Sequence, residues 1–124
     1  MKATLKNYHQ SPRKVRLVAD MIRGKSVPAA RAALHFLPKK SSPAISKLLE
    51  SAVANSGATP DALFVKSIAV NKGAVMRRAR PFSRGRSGSI RKTMSIVTLE
   101  LGTNAPAKAK KARAKKVVKA SDEQ

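Results

Sequence analysis

Between Lys72 and Lys92 the chain carries eight cations, Lys72, Arg77, Arg78, Arg80, Arg84, Arg86, Arg91 and Lys92, and no acid. Guanidinium and ammonium groups at this density have one chemistry open to them, which is pairing with phosphate oxygens. A run without carboxylates supplies no partner of its own, so the partner must come from outside. The middle of the run, Ser83 to Ser89, has turn composition and almost nothing apolar to bury. Other chemistry is poorly served. His9 and His35 are too few and too far apart in sequence for a metal site or a base–nucleophile pair, and the six acids show no catalytic pairing. The absence of cysteine excludes disulfides, zinc ribbons and thiol catalysis. The expectation is a protein with no enzymatic activity, no cofactor and no metal.

The elements that position these cations follow from pattern. Leu63 to Asn71 and Met94 to Leu101 are rich in β-branched and apolar residues and read as two strands, joined by the cationic run as an extended hairpin. The fourteen steps from Val70 to Arg84 would span roughly 45 Å if fully extended. A domain of this length has a radius of gyration of only about 14 Å. The arm therefore leaves its own domain. Such a ribbon is marginal in water and repels itself, so it needs a polyanion alongside, and RNA is the expected one.

Ahead of the strands the chain reads as helical. Met1 to Tyr8 alternates loosely and is expected as an edge strand. Ser11-Pro12 should cap and start a helix that Gly24 stops, with Val15, Val18, Ala19 and Ile22 as its buried stripe. Arg13, Lys14 and Arg16 crowd its first turn, where the helix dipole disfavours cations and a bound phosphate would offset the repulsion. Ser26 and Pro28 should start a second helix with Ala30, Ala33, Leu34 and Leu37 facing inward, and Pro38 ends it. Ser42 should cap a third, started by Pro43, whose face is Ile45, Leu48, Leu49, Ala52 and Val53. Small residues, among them Ala29, Ala32 and Ala54, would let these helices approach closely. His35 should border the helical core and His9 should face RNA. The expected fold is α+β, three helices packed on a small antiparallel sheet with a long protruding β-hairpin.

The whole composition agrees. The 124 residues carry a formal charge of +21 and a pI near 11.6, which suits one domain with appendages that neutralises phosphate. Aromatic residues make up 3% and Trp is absent, so base stacking cannot be the main mode of binding. No apolar run approaches the roughly 20 residues of a membrane span, and the N-terminus lacks a signal-peptide core, so a cytoplasmic protein without membrane contact is expected. The organisation divides into a domain over 1–102, with the hairpin at 72–92, and a basic Ala/Lys-rich tail over 103–124, which cannot bury enough surface to fold alone.

Several motifs together resemble one family. Ser11 to Gly24 (S-P-R-K-V-R-L-V-A-D-M-I-R-G) is similar to the first helix of the bacterial large-subunit ribosomal protein number twenty-two, and Glu50 to Asn55 (E-S-A-V-A-N) to its third. Met76-Arg77-Arg78-Ala79-Arg80-Pro81, Arg84-Gly85-Arg86 and Ile90-Arg91-Lys92 resemble its extended hairpin in order and spacing. The resemblance spans residues 1–101. It implies a structural constituent of the large ribosomal subunit that helps assembly, with large-subunit rRNA and neighbouring ribosomal proteins as partners and no homo-oligomer. Lys6, Arg13, Lys14, Arg16, Lys72, Arg77, Arg78, Arg80, Arg91 and Lys92 are the expected rRNA contacts. It further implies that Arg84, Gly85, Arg86, Ser87 and Gly88 line the tunnel through which the nascent polypeptide leaves. The chain departs from the family at Asn71-Lys72-Gly73, where two acids before glycine are common. Phe82, Ser89 and Thr93 stand where basic residues are usual, and His9 where arginine is. The competing reading is a DNA-compacting nucleoid protein, suggested by a tail like that of linker histones.

Overall fold

In the computed structural model the described residues are 1–103, so the expected tail lies outside them but for Thr103. The elements run β1 (Lys2–Tyr8), α1 (Pro12–Ile22), α2 (Val27–Phe36), α3 (Ser42–Ala54), β2 (Phe64–Pro81) and β3 (Ser87–Gly102), with 3₁₀ turns at Pro60–Ala62 and Ser83–Gly85. The strands form one antiparallel sheet in the order β1-β3-β2, and the helices cover one face of its lower half. This is the expected α+β arrangement.

Each helix begins where a serine and a proline meet, but the serines do less than expected. Ser11 and Ser26 occupy N-cap positions without a side-chain cap bond; proline alone, with its φ already set, starts the helix. The third helix is capped at Ser41 rather than Ser42. Ser42 is instead buried, and its hydroxyl donates to the Leu34 carbonyl, tying α3 to the end of α2. The expected stripe of α1 is fully inside, and in α3 only Val53 is half-buried. In α2 the stripe narrows to Val27, Ala30 and Leu34, with Ala33 and Leu37 half-buried. Ala29, Ala32 and Ala54 are exposed, so close approach of the helices rests on Ala30 and Ala52. His35 is exposed rather than against the core, and its ring meets Phe36 edge-on with centroids 5.3 Å apart.

The helical residues close over Val65, Ile68, Val70, Val97, Leu99 and Leu101 from the sheet, one apolar cluster that includes the fully buried Ile45 and Leu49. Truncating either of those two to alanine should cost about 2–5 kcal/mol, a large part of the stability of a small domain. The cluster ends abruptly. No residue from Asn71 to Thr93 is buried.

β2 is an edge strand, and an open edge invites pairing with another chain. Here the edge is closed from the α1 side. Arg16 donates from Nε and Nη2 to the Val70 carbonyl at 3.1 and 3.0 Å, and Arg23 Nη2 donates to the Ile68 carbonyl at 3.1 Å. Below them Gly24 N–H donates to the Val65 carbonyl, Val65 N–H to Lys25, and Val27 N–H to Leu63. Gly24 sits at φ +75°, the left-handed turn that lets α1 stop and its continuation lie along the strand.

Candidate nucleic-acid interface

Beyond Asn71 the two long strands continue alone as a ribbon. Register runs unbroken from Val75↔Thr93 to Pro81↔Ser87. The strands are longer than composition suggested, because Ser87 to Ser89 pair in the ladder and the turn contracts to Phe82–Arg86. The turn is closed by Phe82 N–H donating to the Arg86 carbonyl at 2.8 Å. Arg84 lies at φ 56°, ψ 40°, a left-handed conformation uncommon for a residue with a side chain, and Gly85 follows at φ +68°. Two such residues in succession turn the chain sharply and hold Arg84 and Arg86 at the apex.

At the root of the ribbon the register shifts between Lys72 and Val75, so that Gly73 and Ala74 together oppose Met94. Bulges of this kind bend a strand and tighten its twist. Gly73 suits the site because a Cβ there would press on Ile96 at 3.3 Å.

Alternation along the ladder sorts the cations by face. Arg77 stands directly opposite Arg91, with Val75, Ala79, Ser89 and Thr93 around them. Met76, Arg78 and Arg80 share the other face with Lys92, Ile90 and Gly88. Two arginines facing each other across a pair of strands destabilise it unless an anion lies between them. All the expected arm contacts, Lys72, Arg77, Arg78, Arg80, Arg91 and Lys92, are exposed. Acids are held elsewhere: Asp20 pairs with Arg23 at 2.9 Å, Glu50 with Arg31 at 3.4 Å, and Glu100 with Lys2 at 3.5 Å, all on the globular part. The Glu100 carboxyl is kept below the usual carboxylate range first by the Ser67 hydroxyl that donates to it and then by the Lys2 ammonium.

The remaining expected contacts divide. Lys6, Arg13 and Lys14 are exposed on β1 and in the first turn of α1. Arg16, expected beside them, has two of its three nitrogens engaged on the Val70 carbonyl. A cleft of about 400 Å³ opens between His9-Gln10-Ser11, just ahead of α1, and the hairpin residues Met76, Arg91 and Lys92. Gln10 lines it, and its Oε1 is buried without a hydrogen-bond partner among the described residues. Composition did not mark Gln10 or Arg23 for any role, since one polar residue at a strand–helix junction and one arginine at a helix end are unremarkable in a basic chain. Among the described residues no cluster of His, Cys, Asp or Glu could hold a metal ion, and no helix is long and apolar enough to cross a membrane.

A family model described as ribosomal protein L22p/L17e matches residues 3–102. Among curated proteins the chain is similar to the large ribosomal subunit protein uL22 of Neorickettsia sennetsu, at 49% identity over 106 residues, 82% of this chain and 94% of that one. Its counterpart in Mesoplasma florum is 50% identical over 102 residues, covering 79% and 91% of the two chains. The Herpetosiphon aurantiacus protein of the same name is 44% identical over 102 residues, 79% and 90%.

Proposed function

The chain belongs to the ribosomal protein L22p/L17e family, and from that premise we propose that its ribbon is the principal rRNA-binding device, with the apex placed at the nascent-peptide tunnel. As a family member the protein is a structural constituent of the large ribosomal subunit, not an enzyme, and rRNA and ribosomal proteins are its partners. That membership leaves the DNA-compacting alternative without support.

The observation that carries the finer reading is the ribbon itself: exposed on both faces, eight cations, no acid, and arginines 77 and 91 directly opposed. Phosphate along both sides would remove the repulsion that the free ribbon suffers. Lys72, Arg77, Arg78, Arg80, Arg91 and Lys92 take the arm contacts, and Lys6, Arg13 and Lys14 take those at the domain's foot. Arg16 acts there from the protein side, by holding β2. Affinity for large-subunit rRNA should fall steeply with salt, and replacing Arg77, Arg78 and Arg80 together should flatten the log–log slope by roughly two to three. An unchanged slope would mean that these arginines face solvent in the complex.

The apex is assigned a different duty. Arg84, Gly85 and Arg86 form the turn at the end of the ribbon, Ser87 and Gly88 open β3 directly behind it, and a group on the tunnel wall acts on passage rather than on subunit stability. Ribosomes carrying Arg84→Ala with Arg86→Ala should assemble near-normally and respond differently to an arrest peptide. Normal arrest with defective assembly would make the apex an RNA anchor instead.

A further inference from the structure

The ribbon also exposes residues that no phosphate would recognise. Of the large apolar side chains exposed on the described residues, Met76 (38% exposed), Ile90 (41%) and Phe82 (57%) all fall on the ribbon face that carries Arg78, Arg80 and Lys92. The Phe82 ring is not loose. It occupies the space above Gly88, where an added Cβ would fall 2.7 Å from Cζ and closer still to Cε2. The Arg80 guanidinium lies over the same ring, 6.0 Å from its centroid. A Cβ at Gly88 would thus displace the ring, whereas Gly85 is favoured by its left-handed backbone conformation.

We infer that Phe82, seated on Gly88 and flanked by Arg80, is a stacking platform for an unpaired rRNA base. The inference rests on the ribbon's rRNA reading above. An aromatic side chain held in one place and still more than half exposed loses little freedom on binding, and every base offers a π face to it. A guanidinium beside the ring can reach the phosphate of the stacked nucleotide or lie against the base itself. The surrounding charge chooses between partners. Eight cations without an acid favour a polyanion, and RNA presents phosphate and apolar faces together. Low aromatic content still rules out stacking as the main source of affinity; one platform adds selectivity for a single-stranded nucleotide to a surface that is otherwise electrostatic.

The test uses the full chain and a transcript of the large-subunit rRNA, titrated at several salt concentrations. Phe82→Leu should weaken binding about five- to hundred-fold at every salt, with the log–log slope unchanged, because stacking releases no counterions. Phe82→Trp should bind at least as well as wild type. Gly88→Ala should reproduce the loss by expelling the ring, and combining it with Phe82→Leu should cost little more. Unaltered affinity in Phe82→Leu, or a loss that Trp does not restore, overturns the platform. A flat wild-type slope would instead undo the phosphate reading, so the two failures are distinct. If the ring meets the nascent chain, a photo-crosslinker at position 82 in assembled subunits will label polypeptide rather than rRNA, and the inference is wrong.

Discussion

Arg16 shows that a residue's position does not disclose all of its partners. It sits among cations at the start of α1, yet its guanidinium grips the carbonyl of Val70, the last buried residue of β2, through two nitrogens. A hydrogen bond from a charged donor contributes about 1.5–3 kcal/mol, and this fork closes an otherwise open edge. Arg16→Ala should therefore lower the free energy of unfolding by about that amount, read as a lower urea midpoint. Arg16→Lys should recover only part of it, since an ammonium cannot match the planar fork. Had Arg16 served phosphate alone, its removal would leave the free protein's midpoint unmoved. The sequence could not separate these roles, because the acceptor is a backbone carbonyl 54 residues away.

At the scale of the element, the ribbon is a structure whose free and bound states make opposite demands. The Arg77–Arg91 opposition weakens pairing in the free protein, and under the function proposed above the same two guanidiniums share one phosphate track. Arg91→Glu turns the repulsion into a cross-strand ion pair worth about 0.2–1 kcal/mol. Amide exchange between 75 and 93 should slow in the free variant, while affinity for rRNA falls by tenfold or more. Slower exchange with unchanged affinity would remove Arg91 from the interface. Much of this element was legible: β-branched flanks, turn-forming middle, no acid. Its exact length was not, since Ser87 to Ser89 look like loop by composition and join the ladder only because Ser87, Gly88 and Ser89 find Pro81, Arg80 and Ala79 across from them. The Phe82–Gly88 pairing was hidden for the same reason, being a relation between two strands rather than a local pattern.

Across the whole molecule, the buried core and the acid-free cationic run occupy separate parts of the chain. The apolar stripes of α1 and α3 were readable from periodicity because burial dictates it. The exposure of His35 was not, as position on a helix does not say what covers it. The last buried side chain on β2 is Val70 and the first on β3 is Met94. Replacing residues 74–92 by an Asn-Gly turn should therefore leave a folded domain with its thermal midpoint within a few degrees of wild type. The same variant should bind rRNA far more weakly and with a much flatter salt dependence. Loss of the cooperative transition on excision would show that the ribbon supports the core, which its exposure gives no reason to expect.

The closed edge of β2 has a geometric consequence. From Val70 to Pro81 the ribbon runs eleven steps, roughly 36 Å at full extension, so a rotation of ten degrees at its root would swing the apex by about 6 Å. Arg16 and Arg23, on the carbonyls of Val70 and Ile68, sit at the fulcrum, just before the Gly73–Ala74 bulge. They are the sight of a long pointer: small angular errors at the base become large positional errors at the end that must find its mark. Two arginines bonded to the protein's own backbone thus set the direction in which the tip points.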